Sequence, residues 1–95
     1  MSLEALTSKY ISSAEKVLKE LKQTKTPINM TEETVGNILR WAADYLKDAK
    51  YFKAQGRFET SLTSVAYCEG LLDALRLLGA VKFKWPTNQE RKKLC

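Results

Sequence analysis

The sequence contains no histidine, which removes the commonest general base and the commonest side-chain metal ligand. It also has no glycine-rich phosphate loop, no Cys-x-x-Cys pair and no nucleophile elbow. Because the usual signatures of catalysis are missing, the sequence favours a non-enzymatic protein, although it does not exclude an enzyme. No cofactor is expected.

Turn-forming and long apolar segments are also scarce. Only four glycines and two prolines occur, which argues against a β-sandwich or barrel, because those folds need frequent turn residues. No run of about 18 apolar residues is present, and the first residues do not resemble a secretory signal. We therefore expect a cytoplasmic protein with no membrane partner. Cys68 is expected in the core, and Cys95 exposed and unpaired.

The net charge of +5 is unevenly distributed along the chain. Residues 1–79 carry 11 basic and 10 acidic side chains, whereas residues 80–95 carry five basic and one acidic. This division predicts a nearly neutral helical domain over 1–79 and a basic, aromatic-containing tail over 80–95.

Apolar residues recur at three- and four-residue steps over three segments, which indicates amphipathic helices. The first segment covers about residues 3–24. The second begins near Asn29 or Thr31 and ends at Gly56, and Asn29 with Glu32 resembles a capping box. Short connections favour antiparallel neighbours. The sequence thus predicts an all-α fold, an antiparallel bundle of about three long helices with a short basic C-terminal tail.

The third segment, residues 58–78 with Gly79 as its stop, is apolar on more than one side. Such a helix must be covered on both sides, so it indicates either a central position or a homo-oligomer or partner-helix interface. Gly70 interrupts it and is expected to mark close approach to the second helix, at the alanines Ala42, Ala43 and Ala49.

Four carboxylates form the one constellation that resembles a ligand site. In a hairpin that turns at Gly56, Asp44 and Glu69 could sit at similar height. A bundle with four inward carboxylates could bind a divalent ion through oxygen. The competing interpretation is a set of ion pairs, including Asp73 with Arg76. The weak metal candidates are Asp44, Asp48, Glu69 and Asp73.

The tail alternates Val81, Phe83 and Trp85 with lysines. Stacking and phosphate contacts of this kind suit single-stranded RNA. Alternatively, the apolar residues cover the end of the bundle while the lysines face water. The last residues are expected to fray. The candidate nucleic-acid contacts are Lys82, Lys84, Trp85, Arg91, Lys92 and Lys93.

Aromatic residues concentrate on the second and third helices, where core packing is expected and a small-molecule pocket is the alternative.

The stretches 45–52 and 65–74, with the turn at Gly56 and the closing Leu77-Leu78-Gly79, resemble a family of short archaeal proteins known only as a domain of unknown function, three-five-seven in that series. The resemblance covers about residues 41–80. It implies an archaeal, all-helical cytoplasmic protein and no particular activity.

The resemblance also selects the positions shared with the family, namely Tyr45, Asp48, Tyr51, Tyr67, Gly70 and Asp73. Three hypotheses for the function remain open. The first is a non-enzymatic protein-interaction or scaffold module. The second is nucleic-acid binding through the tail, and the third is a metal or small-molecule site between the second and third helices. The candidate functional cluster is Tyr45, Asp48, Tyr51, Tyr67, Glu69 and Asp73.

Overall fold

The structure, a computed structural model, describes residues 2–94. The prediction for Cys95 concerns a residue outside this range. Three long helices, α1 (Leu3–Glu20), α2 (Glu32–Ala54) and α3 (Phe58–Leu77), precede a short helix α4 (Asn88–Leu94). No strand occurs within residues 2–94, so the predicted all-α fold with three long helices is confirmed. None of the helices in this range combines the length and hydrophobicity that a membrane span requires.

Two glycines end the long helices of the hairpin, as predicted. Gly56 follows α2 with φ +75°, and Gly79 follows α3 with φ +80°. At the end of α2 the N–H of Arg57 donates to the carbonyl of Phe52. At the end of α3 the N–H of Ala80 donates in the same way to the carbonyl of Leu75. Both ends are therefore Schellman motifs, which require a left-handed residue that glycine adopts without a Cβ penalty.

The start of α2 differs from the predicted capping box. The hydroxyl of Thr31 accepts a hydrogen bond from the backbone N–H of Thr34, so Thr31 is the N-cap. Asn29 lies outside the helix, and the prediction that it caps α2 with Glu32 is wrong. Asn and Thr are both common N-cap residues, and Thr31 takes the role because it directly precedes Glu32, the first residue of the helix.

Helix α1 ends at Glu20, earlier than the expected end near Thr24. Leu21 is extended, with ψ 148°. Most helical stability in proteins comes from packing of the apolar face, and every described residue of α1 is exposed. No packing therefore extends its last turn.

The core lies between α2 and α3, the helices that pack along their lengths. The buried residues are Ala42 and Ala49 on α2, and Cys68 and Leu75 on α3. Each pair is seven residues apart, which keeps both members on one side of a helix. The hydroxyl of Ser61 donates to the carbonyl of Ala49 at 2.6 Å. Small side chains and this bond set a close, antiparallel helix pair.

The expectation that Gly70 marks the close approach is wrong. Gly70 is exposed, and a Cβ placed there would meet nothing within 4 Å. Of the three alanines expected to face it, Ala42 and Ala49 are buried in the helix interface while Ala43 is exposed. The contact that was expected at Gly70 is made at Cys68 instead.

The chain after α3 returns along the hairpin. Val81, Phe83 and Trp85 are half-buried while Lys82 and Lys84 are exposed, so the alternating pattern is a half-covered extended segment. The residues after it do not fray as expected. They form α4, whose N-cap Thr87 accepts a hydrogen bond from the N–H of Glu90.

Candidate functional site

Two members of the candidate cluster meet on one side of the hairpin. The rings of Tyr45 on α2 and Tyr67 on α3 lie 4.4 Å apart between centroids, tilted by 37°. Tyr67 also lines a groove of about 540 Å³ whose other wall is the first half of α1, including Leu6 and Tyr10. We call the side of the hairpin that carries Trp41, Tyr45 and Tyr67 the tyrosine face.

The expected packing of the aromatic residues in the core is not what the structure shows. Trp41, Tyr51 and Tyr67 are each more than half exposed. The Tyr51 hydroxyl accepts a hydrogen bond from the side-chain amide of Gln55, one turn further along α2, and its ring meets Phe52 edge-on at 5.4 Å. Tyr51 therefore does not join the tyrosine pair.

Asp73 is the member of the cluster with the most partners. The indole N–H of Trp85 donates to its Oδ1 at 2.9 Å. The guanidinium of Arg76 donates to the same oxygen at 3.0 Å and 3.1 Å, so the expected ion pair between Asp73 and Arg76 is present. The Trp85 bond, with Arg76 second, holds the pKa of the Asp73 carboxyl below its usual range. We call this group the tail latch.

The tail latch is completed by Phe83. Its ring meets the ring of Trp85 edge-on at 4.9 Å, and the guanidinium of Arg76 lies 5.9 Å from its centroid. The sequence contained a signal for this arrangement, because alternation in residues 81–85 indicated one covered side. It did not indicate the partner, Asp73, which is twelve residues away from Trp85.

The remaining acidic candidates do not converge. Asp44, Asp48 and Glu69 are exposed, while Asp73 is occupied by Arg76 and Trp85. Within residues 2–94 no three carboxylate or cysteine side chains come close enough together to hold a metal ion.

Cys68 is buried in the hairpin, as expected for a core residue. Burial, followed by the charge of Glu69, raises the pKa of its thiol. The thiolate is the reactive form of cysteine, so this environment favours an inert packing role.

The basic residues of the tail face outward. Lys82 and Lys84 are exposed on the extended segment, and Arg91, Lys92 and Lys93 are exposed on α4. Trp85, the aromatic candidate for nucleic-acid contact, is half-buried and bonded to Asp73. Its indole therefore stabilises the tail against α3 instead of standing free.

A second apolar surface lies on the side of the hairpin opposite the tyrosine face. Tyr45 is on one side of the buried line through Ala42 and Ala49, whereas Leu39 and Leu46 are on the other. On α3, Leu62 and Tyr67 are about 140° apart around the helix axis. We call this second surface, made of Leu39, Leu46, Phe58 and Leu62, the leucine face.

The side chains of the leucine face are open to solvent. Phe58 and Leu62 are 63% and 69% exposed, and Leu39 and Leu46 are 37% and 40% exposed. The sequence signal for this surface is the surplus of apolar positions on the third helix, although that pattern does not show which of them the hairpin leaves uncovered.

The whole chain exposes more surface than a compact protein of its mass. Its accessible area is 8674 Å², whereas a compact monomer of this mass exposes about 5,500 Å². The radius of gyration is 16.3 Å, against about 12 Å for a compact domain of this length. The surplus of accessible area is roughly 3,000 Å². It includes surface of α1, all of whose residues are exposed.

The profile of a family described as protein of unknown function (DUF357) matches residues 9–81. No curated protein matches the chain, and no solved structure matches it.

Proposed function

Because the chain belongs to the DUF357 family, whose description states no activity, we propose a function from the chain's own surfaces: it is a non-enzymatic protein-interaction or scaffold module. The observation that carries this proposal is the surplus of roughly 3,000 Å² of accessible surface over a compact monomer. Monomeric proteins rarely expose contiguous apolar patches larger than a few hundred Å².

Helix α1 supports the proposal independently of the area. Its apolar stripe includes Leu6, Tyr10, Val17 and Leu18, all exposed, and it has an N-cap at Ser2. An isolated helix of this length is marginal in water, because its stability normally comes from packing of the apolar face. A partner surface is what such a helix requires.

Small-angle X-ray scattering and sedimentation velocity, measured over a concentration series, test the proposal. We expect either a particle heavier than one chain, or a monomer with a radius of gyration near 16.3 Å that binds an apolar dye. A monomer with a radius of gyration near 12 Å and no dye binding at any concentration would contradict it. In that case the chain covers its own apolar surface.

Nucleic-acid binding through the tail is the second candidate function. It is favoured by one observation, the exposure of five basic side chains within 12 residues of the tail: Lys82, Lys84, Arg91, Lys92 and Lys93. The same 12 residues contain a single acidic residue, Glu90. Contacts from such residues would be made to phosphates, and the affinity would fall steeply with salt.

Charge reversal tests this second candidate better than deletion, because deletion would remove the tail latch. Lys82→Glu with Lys84→Glu should weaken binding to a single-stranded RNA and reduce the salt dependence. Lys16→Glu with Lys19→Glu, on exposed α1, is the matched control. Equal affinity of both double variants would exclude the tail as the binding site.

A further inference from the structure

We infer that the tyrosine face binds an amphipathic helix of a partner protein, that this helix carries lysines or arginines along one edge of its apolar stripe, and that it takes the place of α1. The inference rests on the proposed interaction function and gives the chemistry of the partner. Three observations carry it: the loose seat of α1, two aromatic–carboxylate pairs on α2, and the lack of a cation beside those carboxylates within residues 2–94.

The groove beside the tyrosine face is covered only loosely by the chain itself. Leu6 and Tyr10 of α1 line it opposite Tyr67, yet no Cα of α1 comes within 8 Å of a Cα of α2 or α3. The axes of packed helices are about 8–10 Å apart, so their facing Cα atoms come closer than this limit. A helix that packs directly on the tyrosine face can therefore bury surface that α1 leaves exposed.

Aromatic rings and carboxylates alternate along α2 on this side of the hairpin. Trp41 precedes Asp44 by three residues, and Tyr45 precedes Asp48 by three residues. This spacing places each carboxylate about 60° around the helix from its ring and further from the buried line. The face of an aromatic ring attracts a cation, and a carboxylate pairs with one directly. Each aromatic–carboxylate pair therefore suits one lysine or arginine side chain.

The chain supplies no cation to these two carboxylates. Asp44 and Asp48 are exposed, and neither forms an ion pair within residues 2–94. The neighbouring Lys47 and Lys50 lie on the other side of the buried line of α2. A partner that brings its own basic residues would complement this edge of the tyrosine face.

The turn end of the hairpin already contains such a contact. The guanidinium of Arg57 lies 4.8 Å from the ring centroid of Phe52, and Phe52 lies on the same side of α2 as Tyr45, seven residues away. A cation therefore binds an aromatic ring at the end of this side of α2. Trp41, which is 62% exposed, offers a ring of the same kind without a cation.

The dimensions of the site match a helix. Asp44 and Asp48 are one turn apart, so two basic residues at i and i+4 of a partner helix can reach both. The groove follows α3 from Glu59 to Tyr67, which is about 12 Å or two helical turns. Its volume of about 540 Å³ accommodates apolar side chains of the partner, as in other complexes of an amphipathic helix with a groove.

Titration with a synthetic helical peptide tests the inference. The probe has about 18 residues, leucines at i, i+3, i+4 and i+7, and lysines one turn apart beside them, and the control peptide has glutamine in place of each lysine. Fluorescence anisotropy should give a Kd at least about tenfold lower for the lysine peptide. The whole chain has a net charge of +5, which opposes non-specific binding of this peptide. Equal affinities, or no binding of the lysine peptide, would overturn the inference.

Neutral substitutions locate the contact. Asp44→Asn with Asp48→Asn should weaken binding of the lysine peptide about tenfold. Glu33→Gln with Glu69→Gln removes the same charge at exposed positions away from the tyrosine face and should change the Kd by less than about twofold. Circular dichroism checks that both double variants retain their helices. Equal losses would show that overall charge governs binding and would overturn the choice of face.

The two tryptophans give an internal control. Trp41 lies on the tyrosine face, whereas the indole of Trp85 donates to Asp73 on the other side of the hairpin. In a proton–nitrogen correlation spectrum, the lysine peptide should shift the indole resonance of Trp41 and leave that of Trp85 unchanged, with Trp41→Phe assigning the two. A shift of the Trp85 resonance alone would contradict the proposed site.

The failures of the two proposals are distinguishable. An extended, dye-binding chain that does not bind the lysine peptide would overturn this inference and leave the interaction function standing. A dimer that Trp41→Glu dissociates would make a second copy the occupant and would likewise overturn the partner helix alone. A compact monomer without dye binding would overturn both proposals.

Discussion

The indole N–H of Trp85 donates to the Asp73 carboxylate across twelve residues of chain, at 2.9 Å. This bond connects the tail to the C-terminal part of α3 and uses a carboxylate that is also paired with Arg76. The position of the tail therefore depends on the charge of one side chain.

The first prediction concerns pH. The folded state holds the Asp73 pKa below its ordinary value of 3.8, so the carboxylate stabilises tail docking fully above that value. Docking should weaken as the pH falls through the lowered pKa, because protonation removes the charge that Trp85 and Arg76 bond. Trp85 fluorescence in a Trp41→Phe background, followed by acid titration, measures this.

Asp73→Asn is the control for this titration. Its tail should be loosened already at neutral pH, and the Trp85 signal should then show no acid transition of the same midpoint. An identical transition in the variant would assign the titration to another group.

The second prediction contrasts two glycines. Gly70 is helical with open space beside it, so Gly70→Ala should stabilise the protein by about 0.5–1 kcal/mol. Gly56 has φ +75°, so Gly56→Ala should destabilise it by about 1–2 kcal/mol. Urea unfolding of both variants measures the difference, and two effects of the same sign would contradict the assigned helix ends.

The third prediction tests the close packing of the hairpin. Ala42 is 2% exposed in the α2–α3 interface, so Ala42→Leu should overpack it and cost about 1–3 kcal/mol. The neighbouring Ala43 is exposed, and Ala43→Leu should change the stability by no more than about 0.5 kcal/mol. Thermal unfolding of the two variants compares equal changes in volume at adjacent positions.

The fourth prediction isolates the bond between the two helices. Ser61→Ala removes the donor to the Ala49 carbonyl and should cost about 1 kcal/mol. Thr63→Ala removes a hydroxyl that bonds within its own helix, to the carbonyl of Glu59, and should cost less than about 0.5 kcal/mol. Equal losses in chemical denaturation would mean that the interhelix bond adds nothing.

The local features of the fold were predictable from the sequence because they depend on nearby residues. Gly56 and Gly79 were predicted as helix ends, and each closes a Schellman motif. Ala42 and Ala49 were likewise predicted as interface residues, together with Ala43, which is exposed. The choice between Asn29 and Thr31 as N-cap was not predictable, because both residue types are common N-caps.

Features that depend on contacts between distant residues were less predictable from the sequence. Gly70 suggested close contact, but the rotation of α3 about its own axis decides which residue meets α2, and Cys68 does so instead. The hydrogen bond between Trp85 and Asp73 could not be predicted either, since no local sequence pattern links these two positions. Sequence alone likewise could not show that Leu62 would remain bare.

The segment over residues 21–31, which contains neither helix nor strand, has a consequence for α1. It works as a tether, since it keeps α1 near the tyrosine face at an effective concentration on the order of millimolar. Any outside helix that competes for that groove must overcome this local concentration. Because α1 buries none of its residues there, an outside helix displaces little bound surface when it takes the place of α1.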